Sequence, residues 1–216
     1  MSKPKDATRL ERRSMQVREF RTDDDGKIVG YASVFDEETD IGGMFREVVR
    51  PGAFARAIKE KQDVRALFNH DPNYVLGRTK SGTLKIEEDK RGLWIEVQPP
   101  NTQFAADLME SMKRGDVDSM SFAFIATEET WTERKDDATL RELKDLDLFD
   151  ISAVTYPAYE GTSVGLRSAE SIFNDHIQSL EGQAPEGDDD AEREGLELDR
   201  RRAVVDVTKR TNQRGV

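Results

Sequence analysis

Cysteine is absent from the 216 residues, which excludes a disulfide framework, a cysteine-based zinc site and a thiol nucleophile. Histidine occurs twice, as His70 and His176, too few for a multi-histidine metal site. No phosphate-binding glycine loop is present, so neither a metal nor a cofactor is expected. No apolar run approaches the roughly 18 residues of a membrane span, and the polar, basic N-terminus lacks the apolar stretch of a signal peptide. The expectation is a soluble, unsecreted protein with no membrane partner. Core-forming residues are scarce, 36% hydrophobic against 36% charged, so part of the chain is expected to stay disordered. A net charge of −11 argues against a specific nucleic-acid partner.

That charge is unevenly spread, and the unevenness marks boundaries. Residues 1–21 carry seven basic side chains against three acids and few apolar ones before Val17 and Phe20. Residues 1–16 therefore read as a flexible basic leader and 17–182 as the folded domain. Residues 183–200 hold eight acids and two arginines, a block that buries too little surface to order itself, and residues 201–216 turn basic again. The stretch 183–216 reads as a disordered tail, acidic then basic.

Between these ends short strands alternate with a few helices, the pattern of an α+β domain built as a partly closed mixed or antiparallel barrel. Strand patterns cover 29–35, 45–49, 64–70, 83–87, 93–97 and 146–154, with Pro72 and Gly77 read as breakers after the third. Pro51 and Gly52 open a helix over 53–61. Thr102 caps a second, whose apolar residues Phe104, Leu108 and Met112 recur every fourth position and whose stop is Gly115. A last helix spans 169–180.

Asp118-Ser119-Met120-Ser121-Phe122-Ala123-Phe124 reads as a strand with Met120, Phe122 and Phe124 on one face and three small side chains on the other. A small-residue face beside a bulky one lets something approach Ser119 and Ser121 closely. His70 ends its strand just before Asp71-Pro72, and histidine is the side chain suited to proton exchange near neutrality. His176 lies on the last helix and reads as structural, which leaves His70 as the general base. Asp150 is an acid within the apolar run Leu148-Phe149-Asp150-Ile151-Ser152-Ala153-Val154, and a carboxylate there asks for a partner. Asp145 and Asp147 remain rival acids and Ser119 a rival nucleophile. A serine, a histidine and an acid are thus available by residue type.

Several ordered blocks carry a resemblance: Gly30-Tyr31-Ala32-Ser33-Val34-Phe35-Asp36, Phe45 to Phe54, Phe68-Asn69-His70-Asp71, Leu76-Gly77-Arg78, Met120 to Phe124, and Asp150 to Tyr159. Over about residues 17–167 the chain resembles the tailed-bacteriophage prohead (capsid maturation) protease family, itself similar in fold to the herpesvirus assemblin proteases. The resemblance implies a herpesvirus-protease-like β-barrel surrounded by helices, a serine endopeptidase with Ser121 as nucleophile and His70 as base, and an acid in the block that holds Asp150 as third member. Ala123 stands where a glycine is common in that family. The substrates implied are the major capsid protein's scaffold segment, or a separate scaffold protein, and the protease itself. Portal and other procapsid components are implied partners, and the place of action would be the host cytoplasm, inside the procapsid. A second function class stays open beside it: a non-catalytic assembly or scaffolding module in which nothing depends on Ser121.

Overall fold

Alternating and near-continuous apolar runs make this a strand-rich chain, and a computed structural model describes residues 9–16, 21–23, 25–135, 137–156 and 163–181 of it. In chain order the elements are β1 (Glu11–Gln16), β2 (Arg21–Thr22), β3 (Ile28–Val34), β4 (Thr39–Ile41), β5 (Phe45–Val49), α1 (Ala55–Lys59), β6 (Arg65–Phe68), β7 (Asp71–Arg78), β8 (Leu84–Glu88), β9 (Gly92–Val97), α2 (Gln103–Arg114), β10 (Ser119–Thr132), β11 (Leu140–Val154) and α3 (Ser163–Glu181). One sheet has the order β1-β10-β11-β5-β4, with β6 joined to β11 and β7 to β6; the other runs β2-β3-β9-β8. The α+β composition matches the expectation, and among the described residues no closed barrel is found. Among the described residues both sheets are open. The 15-residue β11 shares its length between β5 and β6, so the larger sheet branches there.

The described residues fall into two units. The first lies within Met1–Glu38, Val48–Thr130 and Glu142–Tyr159, the second within Thr39–Glu47, Trp131–Arg141 and Glu160–Val216. The core of the first unit gathers Ile28, Phe54, Leu93, Ile95, Leu108, Met120, Phe122, Phe124 and Ile151. Phe54 meets Phe122 edge-on at 5.7 Å, and Phe122 stacks on Phe124 at 5.1 Å. The backbone N–H groups of Gly52 and Phe54, ahead of α1, both donate to the Glu88 carboxylate. Helix α2 is capped as its sequence predicts: Ala105 N–H donates to Thr102 Oγ1 at 3.3 Å, and Gly115 ends it in the left-handed region at φ 80°.

Two segments differ from the sequence pattern. Pro72 and Gly77, read as breakers, lie inside β7. The β6–β7 register jumps from Phe68↔Asp71 to Leu67↔Val75, so Pro72 falls in a bulge where no ladder N–H is needed. A Cβ at Gly77 would stand 2.7 Å from the Thr83 carbonyl oxygen, so that glycine permits close strand packing. The second difference is β1, which places Glu11–Gln16 in the sheet although they read as leader. Its residues pair antiparallel with β10, from Glu11↔Phe124 to Gln16↔Ser119. The strand has no apolar alternation to announce it; Glu11 is buried through its ion pair with Arg13 at 2.7 Å.

In the second unit β4 and β5 form a hairpin with Ile41 opposite Phe45. Phe45 packs on Trp131 at 5.0 Å and on Phe173 at 5.8 Å, and His176 stacks on Trp131 at 4.4 Å. Residues 183–216 lie outside the described residues.

Candidate active site

Strand β10 separates its two faces as its alternation dictates. Met120, Phe122 and Phe124 enter the core, while Ser119, Ser121 and Ala123 occupy the other face, all with 0% exposure. The bulky row anchors the strand and the small row leaves the opposite face free for polar groups. Strand β10 is flanked by β1 on one side and β11 on the other.

His70 comes from a two-residue turn. Between Phe68 and Asp71, which pair as the last residues of β6 and the first of β7, Asn69 and His70 take φ of 52° and 57°. Positive φ at both central positions is the requirement of a type I′ hairpin turn, where Asn-Gly is the favoured pair. A histidine in glycine's place carries strain of about 1–3 kcal/mol, offset by bonds to the end of β11. Asn69 N–H donates to the Ala153 carbonyl at 2.8 Å, its side-chain amide donates to Thr155 Oγ1 at 3.1 Å, and Thr155 N–H donates to Asn69 Oδ1 at 3.0 Å.

Asp150 is delivered by the parallel pairing of β6 with β11, in which Asp150 is opposite Arg65 and Ser152 opposite Leu67. Across a separation of 80 positions the chain closes so that His70 Nδ1 lies 2.6 Å from Asp150 Oδ1, while its Nε2 lies 2.7 Å from Ser121 Oγ. With Nδ1–H donating to the carboxylate, Nε2 is free to accept from the serine hydroxyl. Ser152 Oγ braces the pair: it donates to Asp150 Oδ1 at 2.8 Å and accepts from the His70 backbone N–H at 3.2 Å. The His70 and Asp150 side chains are 12% and 13% exposed. Ser121 has no exposed surface, so an incoming group reaches its Oγ only after a neighbour shifts.

The rival residues have other engagements. Ser119 Oγ donates to Asp118 at 2.8 Å. Arg56 binds Asp145 at 2.6 Å and Asp147 at 2.8 Å, and the guanidinium is held protonated well above its ordinary range by hydrogen bonds to Asp145 first and Asp147 second. Asp147 also accepts from the Gln62 amide at 2.6 Å. Ser152 and Asn69 were not singled out in the sequence, although each left a trace: Ser152 shares the face of Asp150 by alternation, and Asn69 is a turn-former at a strand end. Among the described residues no three acids or histidines are grouped to hold a metal ion, and no helix is long and apolar enough to cross a membrane.

A hydroxyl on a histidine that is itself held by a carboxylate is the constellation of nucleophilic acyl transfer. The family model of the caudovirus prohead serine proteases matches residues 13–175. The chain belongs to that family. The curated prohead protease of Enterobacteria phage HK97 is 31% identical over 192 residues, covering 79% of this chain and 79% of the relative. Among solved structures, the bacteriophage T4 capsid assembly protease aligns over 68% of this chain and 97% of its own with a TM-score of 0.44 and 9% identity. Membership makes the chain one of the serine peptidases of phage capsid assembly, and the contact between Ser121 and His70 lies within the matched span.

Proposed function

We propose that this chain is a serine endopeptidase that cleaves the scaffold segment of the major capsid protein, and its own chain, as procapsids mature. The observation that carries it is the continuous run Ser121 Oγ, His70 Nε2, His70 Nδ1, Asp150 Oδ1, joined at 2.7 and 2.6 Å. Ser121 attacks the scissile carbonyl carbon as its proton passes to His70, and the imidazolium is stabilised by Asp150. Collapse of the tetrahedral intermediate breaks the C–N bond and returns that proton to the leaving amine. Water then hydrolyses the acyl-enzyme, with His70 acting again as base.

The protease unit in this proposal is residues 17–182 together with the β1 strand, and the charged residues 183–216 serve docking on capsid or portal components inside the procapsid, in the host cytoplasm. Opposite charge in adjoining blocks favours such a segment folding onto a partner.

The test is co-expression with a candidate capsid protein, followed by intact-mass analysis of both chains. Active enzyme yields shortened capsid protein; Ser121→Ala leaves full-length masses while the enzyme stays folded. If processing survives in Ser121→Ala and is lost in Ser119→Ala, Ser119 is the nucleophile. If neither change alters it, the chain is an assembly module.

A further inference from the structure

The buried hydroxyl of Ser14 has no role in the chemistry described so far. Its Oγ is buried and among the described residues makes no hydrogen bond. Such a group costs about 1–3 kcal/mol of desolvation, and an unsatisfied buried polar atom in a native fold calls for an explanation. Its position supplies one. In the β1–β10 ladder Ser14 is directly opposite Ser121. Directly opposed residues of an antiparallel pair point to the same face, with Cβ atoms about 4.5–5.5 Å apart. The Ser14 hydroxyl therefore lies beside the nucleophile, on the same face of the sheet.

The side on which it lies matters. Strand β10 has β11 as one neighbour and β1 as the other. Asp150 is on β11, and the His70 turn is tied to the end of β11 through Asn69. Base and acid thus flank Ser121 from the β11 side, and Ser14 from the β1 side. In the tetrahedral intermediate the leaving nitrogen must face His70 Nε2 to receive its proton. The carbonyl oxygen then points elsewhere, and a donor for it belongs on the side away from His70.

We propose that Ser14 is a further catalytic residue: its hydroxyl donates a hydrogen bond to the oxyanion formed when Ser121 attacks. This rests on Ser121 being the nucleophile. Ser14 transfers no proton and forms no bond to substrate; it supplies a donor held in place before charge develops, the arrangement that makes such groups effective. The hydroxyl that has no partner among the described residues gains one in the transition state.

The experiment compares Ser14→Ala, Ser14→Thr and Ser121→Ala in the full chain. The readouts are kcat and KM on a peptide spanning a junction mapped by intact mass, the second-order rate of labelling by a fluorophosphonate at low concentration, and the thermal midpoint. In that labelling the Ser121 Oγ–P bond forms, the P–F bond breaks, His70 takes the proton and fluoride leaves, with the phosphoryl oxygen in the oxyanion position. Ser14→Ala should lower kcat about 10²–10³-fold and slow labelling in parallel, with KM within threefold and the midpoint unchanged or raised. Ser14→Thr keeps the hydroxyl and should recover most of the rate. Wild-type kcat and labelling in Ser14→Ala, or a loss that appears in KM with a lowered midpoint, overturns the proposal, as does faster turnover, which would make β1 a cover over the site. Cleavage that persists in Ser121→Ala defeats the nucleophile assignment itself, a result separate from any of these.

Discussion

Two buried polar clusters, one in each unit, are built on opposite principles. In the second unit Arg141 and Glu47, 2% and 4% exposed, form an ion pair at 2.9 Å, and the guanidinium lies 5.5 Å from the Trp131 ring centroid. Charge meets charge there, the geometry is closed, and the cluster can only hold. In the first unit the run from Asp150 through His70 to Ser121 ends in a neutral hydroxyl, and its histidine occupies a turn position that favours glycine. Buried ion pairs cost desolvation and serve structure, whereas a run that ends on an uncharged hydroxyl keeps its last proton available for transfer. The difference lies in whether the final donor has a partner that needs it.

Breaking each cluster should therefore give different signatures. The largest effect is expected for Asp150→Asn, which preserves shape but offers His70 Nδ1 an amide in place of a carboxylate. Cleavage should fall by about 10⁴ in kcat, the cost of the wrong tautomer and an unstabilised imidazolium, with the thermal midpoint little changed; kinetics and calorimetry on one preparation check both halves. Arg141→Met should do the reverse. It leaves Glu47 buried without its cation and should cost about 3–5 kcal/mol of stability by denaturant titration, while the Glu47→Leu, Arg141→Met double variant recovers most of that loss. A double variant as weak as the single would mean that the charges do more than hold each other.

A finer separation comes from the His70 turn. His70→Gly and His70→Ala should both be inactive, but glycine should be more stable by about 1 kcal/mol, because it relieves the left-handed strain that alanine keeps. Equal stabilities would remove strain from the account of that turn. The smallest effect concerns a site that is purely structural. Asp89 accepts from Tyr31 O–H at 2.7 Å and from Arg91 N–H at 2.7 Å, and these bonds, that of Tyr31 foremost, hold its carboxyl below the ordinary range. A depressed folded value means that its stabilisation is present above the unfolded value and lost as pH falls through the folded one. The gap in thermal midpoint between wild type and Asp89→Asn should thus be open at neutral pH and close in acid.

Much of this arrangement was legible because it follows from local chemistry. Apolar rows place β5 and β9, Thr102 and Gly115 bound α2, and the small face of β10 marks Ser119 and Ser121 together. Position along the chain separates His70, at a strand end, from His176 on the last helix, which the structure stacks on Trp131. What stayed hidden depends on pairing. Strand β1 shows no alternation because its burial is supplied by the edge of β10, and the bulge that admits Pro72 into β7 exists only through the shifted β6 register. The choice among Asp145, Asp147 and Asp150 could not be read from a run of alternating acids; it turns on which of them faces the His70 turn and which face Arg56. Barrel closure is likewise a property of long-range partners, which no local pattern reports.

The parallel joining of β6 to β11 also sets the order in which the molecule can assemble. Strand β11 is the last described strand to be synthesised, yet it sits between β10 and β5 in the larger sheet and is the partner of β6. Until it emerges, β10 lacks one neighbour, the His70 turn has nothing to be tied to, and Asp150 is absent. Pairings that reach across such sequence distances form slowly, because chain closure must precede the contacts that reward it. A nascent chain still on the ribosome thus contains His70 and Ser121 before it contains Asp150. The topology thus sets a sequence of assembly: Ser121, His70 and Asp150 can be brought together only once Val154 has been made.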